Sequence, residues 1–102
     1  MIAEFSIHPI GTGTSVGRYV KAAVRELSKV PGLTLDVTPM SSVLEAEKLG
    51  PILHAVEASH RAIRSMGAKR ISSSLRIDER LDKPRRMSDK TRGLKRLTGA
   101  KR

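Results

Sequence analysis

Two helical apolar stripes, each flanked by stretches of strict alternation, restrict this chain to very few folds. In the first stretch Ala3, Phe5 and Ile7 alternate with Glu4, Ser6 and His8, the period-2 pattern of a half-buried strand. Pro9 has no N–H to donate and is expected to end that ladder. Gly11-Thr12-Gly13 is turn chemistry, and Thr14 or Ser15 is placed to cap a helix. The period then changes. Val16, Tyr19, Val20, Ala23, Val24 and Leu27 recur at steps of three and four, which predicts a helix over 15–30 that Pro31-Gly32 stops. Alternation returns over 33–38, with Leu33, Leu35 and Val37 opposed to Thr34, Asp36 and Thr38. It returns again over 42–47, with Leu44 and Ala46 opposed to Val43, Glu45 and Glu47. The short link Pro39-Met40-Ser41 fits an antiparallel hairpin. Gly50-Pro51 opens a second helix with proline at its favoured first position. Its inner stripe is Ile52, Val56, Ser59, His60, Ile63 and Met66, and Gly67 ends it. A fourth strand spans 69–78, with Ile71, Ser73, Leu75 and Ile77 against Arg70, Ser72, Ser74, Arg76 and Asp78.

The resulting order, β-α-β-β-α-β, is an α+β plan: a ferredoxin-like sandwich whose four-stranded antiparallel sheet carries two helices on one face. Right-handed crossovers put the first and third strands in the centre. The other face is then bare in a single subunit, displaying Glu4, Ser6, His8, Glu45 and Glu47 flanked by Arg70, Arg76 and Asp36. Residues 1–84 form the expected domain, and 85–102 a basic C-terminal tail. In the tail Met87, Thr91, Leu94 and Leu97 have the spacing of a short amphipathic helix, and the last five residues are expected to be mobile.

A chain of 102 residues suits one small domain. With Phe5 and Tyr19 as its sole aromatic residues, the core must be Val, Ile, Leu and Ala. Cysteine is absent, so there is neither a disulfide framework nor a thiolate metal site. No run approaches the roughly 18 apolar residues of a membrane span, and the start lacks the basic-then-apolar pattern of a signal peptide. A cytoplasmic protein is expected. Asn and Gln are also absent, so every amide contact to a ligand must come from backbone. Charge is uneven: residues 1–60 hold five Lys/Arg and six Asp/Glu, whereas 61–102 hold fifteen and four, which together make the net +10.

The runs MIAEFSIHPIGTGTSVGRYV, LTLDVTPMSSVLEAE and MGAKRISSSLRIDERLDKP resemble the small thiamine-binding (YkoF-like) family of ferredoxin-like proteins. The likeness covers Met1 to about Pro84. It is carried by the ordered set Pro9, Gly11, Ser15, Thr38-Pro39-Met40, Glu45, His60, Arg70, Asp78 and Arg80. The resemblance implies subunits that pair through their sheets into a homo-oligomer, a dimer of dimers. It implies a site for thiamine or its hydroxymethyl-pyrimidine part near the hairpin and the subunit contact, and it implies no catalysis. The basic tail departs from the family pattern.

The chemistry of such a site can be argued from the ligand. Thiamine joins a neutral aminopyrimidine to a fixed thiazolium cation, so a site needs a carboxylate, hydroxyl or N–H partners and an apolar wall. A carboxylate near the cation gains Coulomb energy as water is excluded. Glu45 is the candidate carboxylate, Thr38 and Ser42 supply hydroxyls, Met40 is an adaptable wall, and His8 and Asp78 are further polar partners. A structural role for Glu45, an ion pair with Arg70 or Arg76 across the sheet or with a second subunit, is the competing reading.

Other chemistries find less support. The Gly11–Gly17 run precedes a helix and offers N–H groups to an anion, but it lacks the Gly-Lys-Ser/Thr ending of a nucleotide loop. His8, His54 and His60 have no metal-ligand spacing, and no nucleophilic trio has a local signature. RNA recognition motifs share this strand order but stack bases on aromatic residues of the central strands, where this chain has Glu4, Ser6, Glu45 and Glu47. Acylphosphatase-like catalysis would need an amide-bearing partner that the composition lacks. The tail, with ten basic and three acidic residues over 79–102, supports the alternative of nonspecific nucleic-acid binding by counterion release. No metal and no cofactor beyond the ligand itself are expected.

Overall fold

The structure, a computed structural model, describes residues 1–97, apart from the side chains of residues 95 and 96. The elements are β1 (Ile2–Pro9), α1 (Gly17–Leu27), β2 (Thr34–Val37), β3 (Ser42–Glu45), α2 (Leu49–Ser65), β4 (Ile71–Asp78), α3 (Met87–Thr91) and α4 (Leu94–Leu97). The strands form one antiparallel sheet in the order β2-β3-β1-β4, the ferredoxin-like arrangement, with β1 and β3 central.

Register fixes which side chains face the helices. Ala3 pairs with Leu44 and Ile77, Phe5 with Ser42 and Leu75, and Ile7 with Ser73. Residues directly opposite on antiparallel strands share a face. The inward set meets α1 and α2, and Phe5, Leu27, Leu44, Ile52 and Ile63 are fully buried. Ala23, Ala55 and Ala58 are buried too, which lets the helices approach the sheet closely. Ser59 in the same layer returns its hydroxyl to the Ala55 carbonyl at 2.8 Å, so its burial leaves no unpaired donor. His60 reaches from α2 to the Ser73 hydroxyl at 2.8 Å.

Pro9 is the last residue of β1, as expected, and pairs with Ile71, with one further bond beyond it from Ile10 N–H to the Arg70 carbonyl at 2.8 Å. Successive N–H groups point to opposite strands. The one proline lacks would point toward β3, whose pairing has already stopped at Ser42 opposite Phe5. Other element ends differ from the sequence expectation. Neither Thr14 nor Ser15 caps α1: the capping position is Val16, with no side-chain bond. The helix α2 starts at Leu49, ahead of Gly50-Pro51, and proline is tolerated in a first turn whose N–H groups have no intrahelical partner. The tail helix is split into α3 and α4 at Gly93, whose φ of +84° breaks the spiral. Leu94 and Leu97 stay exposed. The expectation for the last five residues lies outside the described residues.

Ile63 is at 0% exposure, so Ile63→Ala should lower unfolding stability by about 2–5 kcal/mol through lost transfer energy and a cavity. Leu97→Ala, at a site 82% exposed, should change it by less than about 0.5 kcal/mol. Urea unfolding of the two variants checks this, and equal losses would contradict the described core.

Candidate ligand-binding site at the foot of the sheet

The open face of the sheet is a set of cross-strand rows. The lowest row reads Thr34, Glu45, Ile2, Asp78, and the next reads Asp36, Val43, Glu4, Arg76. Above these, on β1 and β4, lie Ser6 with Ser74 and His8 with Ser72. Glu45 is thus flanked by a hydroxyl on β2 and an aliphatic side chain on β1. Both Glu45 and Ile2 are half-buried. Among the described residues Glu45 forms no ion pair, so neither Arg70 nor Arg76 serves as its partner within the subunit.

Asp78 ends the same row on the other side of Ile2. Lys90 of α3 donates to its carboxylate and pairs with it. That hydrogen bond, with the charge of Lys90 and smaller contributions from Arg76 and Arg80, holds the Asp78 carboxyl below the usual carboxylate range.

The remaining candidates lie at the other end of the sheet. Thr38 closes the β2–β3 hairpin: its hydroxyl donates to the Ser41 carbonyl at 2.7 Å and accepts from Ser41 N–H at 3.1 Å. Its hydrogen is therefore already committed. Met40 caps the turn at 88% exposure and walls nothing within the subunit. Ser42 sits opposite Phe5 on the helix side and is buried. It stands three residues from Glu45, and an odd spacing puts two strand residues on opposite faces. His8 is on the open face, exposed, opposite Ser72. The structure brings Glu45 and Asp78 into one row and does not bring Thr38, Met40, Ser42 or His8 to it within one subunit.

Beneath the lowest row lies a groove of about 1240 Å³. One side is built from Ile2, Thr34, Glu45 and Glu47, the other from the chain after β4, including Leu81, Lys83 and Arg85. Small-molecule sites usually measure about 300–1,000 Å³, so there is room for a ring system with a substituent. Sequence reasoning treated 85–102 as a tail and missed this wall. Two local devices hold it. Arg80 grips both carboxylate oxygens of Asp82 at 2.6 and 3.0 Å. Asp89 accepts from Arg86 N–H at 2.8 Å at the start of α3. An acidic residue in a helix's first turn was the available signal.

Among the described residues no group of three or more His, Asp or Glu could hold a metal ion. No helix there is long and apolar enough to cross a membrane.

Comparison with known proteins agrees with this fold. A UPF0045 protein of Methanothermobacter thermautotrophicus is 38% identical over 94 residues, 91% of this chain and 94% of that one. The crystal structure of a hypothetical protein from Methanocaldococcus jannaschii superposes with a TM-score of 0.81 at 36% identity, covering 97% of this chain and 95% of that one. A Thermotoga maritima structure named for thiamine biosynthesis or salvage shares the fold, with a TM-score of 0.77 at 18% identity over 91% of this chain and 96% of that one. The family model described as "Thiamine-binding protein" matches residues 3–95, and the chain belongs to that family.

Proposed function

We propose that the protein binds thiamine or its hydroxymethyl-pyrimidine part without chemically altering it, in the groove at the foot of the sheet. The observation that carries this reading is Glu45: a half-buried carboxylate with no cationic partner among the described residues, beside half-buried Ile2 and the Thr34 hydroxyl. Family membership and the thiamine-related name of the Thermotoga maritima neighbour support it. Glu45 accepts from the exocyclic amino group or faces the thiazolium, Thr34 serves a ring nitrogen, and Ile2 lies against the ring. Asp78, its carboxyl held low by the hydrogen bond and charge of Lys90, presents a second carboxylate to the same row.

The working form is proposed to be a homo-oligomer, a dimer of dimers. The strand β4 is an eight-residue sheet edge whose outer backbone groups pair with no strand among the described residues. The open face carries half-buried Ile2 and Val43. A second copy packed antiparallel on that face sets its own hairpin, with Thr38 and Met40, toward Glu45 of the first. The hairpin candidates then join the site from the neighbouring subunit. A cytoplasmic setting is part of the same proposal.

Calorimetric titration with thiamine and with the free pyrimidine tests the binding. A charge-assisted hydrogen bond contributes about 1.5–3 kcal/mol, so Glu45→Ala should weaken binding by roughly ten- to a hundredfold, while Ser42→Ala should cost much less. Absence of heat and of any thermal shift at millimolar ligand would end the reading. Light scattering should give a dimer or tetramer mass, and Met40→Asp should lower it. A monomer mass at every working concentration would refute the assembly.

A further inference from the structure

We infer that the groove prefers the phosphate esters of its ligand to the free alcohol, with Lys83, Arg85 and Arg86 holding the phosphate. This rests on the thiamine-type reading above. The chain after β4 satisfies most of its charges internally: Asp78 is held by Lys90, Asp82 by Arg80, and Asp89 by Arg92 and the Arg86 N–H. Once these are paired, Lys83, Arg85 and the Arg86 guanidinium still line the groove, and none has an ion-pair partner among the described residues. Glu79 is the one acidic residue left on that wall. Arg85 is half-buried. A cation with no counter-charge beside it offers its full charge to an incoming anion.

The opposite wall carries Glu45 and Glu47 alongside Lys48. The groove therefore has a carboxylate side formed by the foot of β3 and a cationic side formed by the returning chain. A ligand with a fixed cation at its centre and a phosphate at one end matches both. Free thiamine ends in a neutral hydroxyethyl group and leaves the arginines unmatched. Arginine's planar fork suits a phosphate's oxygens geometrically as well as in charge. The field on this wall is already visible within the chain. The Asp82 carboxyl is held low chiefly by the Arg80 hydrogen bond and that of Asp89 by the Arg86 N–H, and Arg85 adds to both.

Calorimetry at fixed ionic strength with thiamine, thiamine monophosphate, thiamine diphosphate and inorganic diphosphate tests this. The diphosphate ester should bind at least about tenfold more tightly than thiamine, the effect of one charge-assisted contact. The triple variant Lys83→Ala/Arg85→Ala/Arg86→Ala should bring that ratio close to one, and Arg85→Lys should keep part of it. The variant Lys21→Ala/Arg25→Ala/Arg64→Ala removes the same charge from exposed positions on α1 and α2 and should keep the ratio whole. The ratio is internal to each variant, so partial misfolding does not move it. Equal affinity for thiamine and its esters, or an unchanged ratio in the groove variant, overturns the inference and leaves thiamine binding standing. No binding of any thiamine compound removes both, even if inorganic diphosphate binds.

Discussion

The strand β1 holds this structure together because both of its edges are hydrogen-bonded while its two faces do different work. Pairing with β3 and β4 fixes it in register from Ile2 onward, and a slip of one residue would exchange the faces. Phe5 and its neighbours would then meet solvent, and Glu4 would enter a core with no partner for its charge. Burial of Ala3, Phe5 and Ile7 against the helices therefore also decides that Ile2 lies between Glu45 and Asp78 on the open face. The lowest row of the candidate site is thus a by-product of core packing and needs no separate ordering, whereas the wall opposite it is set by the returning chain.

The two carboxylates flanking Ile2 are made unlike by what lies beyond the sheet. Asp78 is met by Lys90 of α3, the segment that folds back beneath the sheet. Glu45 is met by no such residue among those described. Exposed ion pairs each contribute little to stability, so the ties at Asp78, Asp82 and Asp89 serve to place the returning chain more than to stabilise the fold. Their consequence is spatial: a polar groove with a carboxylate on one side and unmatched arginines on the other. Among the described residues after β4 the positive charge is thereby divided: Arg80, Lys90 and Arg92 pair with carboxylates, while Lys83, Arg85 and Arg86 line the groove without an ion-pair partner.

The strand order and central pair followed from the order of elements and the handedness of the crossovers. The parity of all four strands followed from alternation, because a side-chain period of two is hard to mistake over four or more residues. Glu45 was placed on its correct face for that reason. Ser42 was not: nearness to the hairpin in sequence was allowed to outweigh parity, which puts it under Phe5. Thr38 was hidden by local chemistry, since a threonine at a turn can bond the backbone three residues on, and nothing in the pattern says that it has. The alanines Ala55 and Ala58 are core residues that a search for larger apolar side chains passes over. The returning segment was the largest omission. Its hold depends on ion pairs such as Lys90 with Asp78, twelve residues apart, and charge pairing at that range leaves no periodic trace.

The most direct measurement is amide chemical-shift mapping of the perdeuterated protein during a thiamine titration. Saturable shifts are expected at Ile2, Thr34, Glu45 and Asp78, which come from four different strands and meet only in the lowest row of the sheet. Shifts confined to the Gly11–Ser15 loop or to the outer faces of the helices, with those four residues unmoved, would contradict the proposed site.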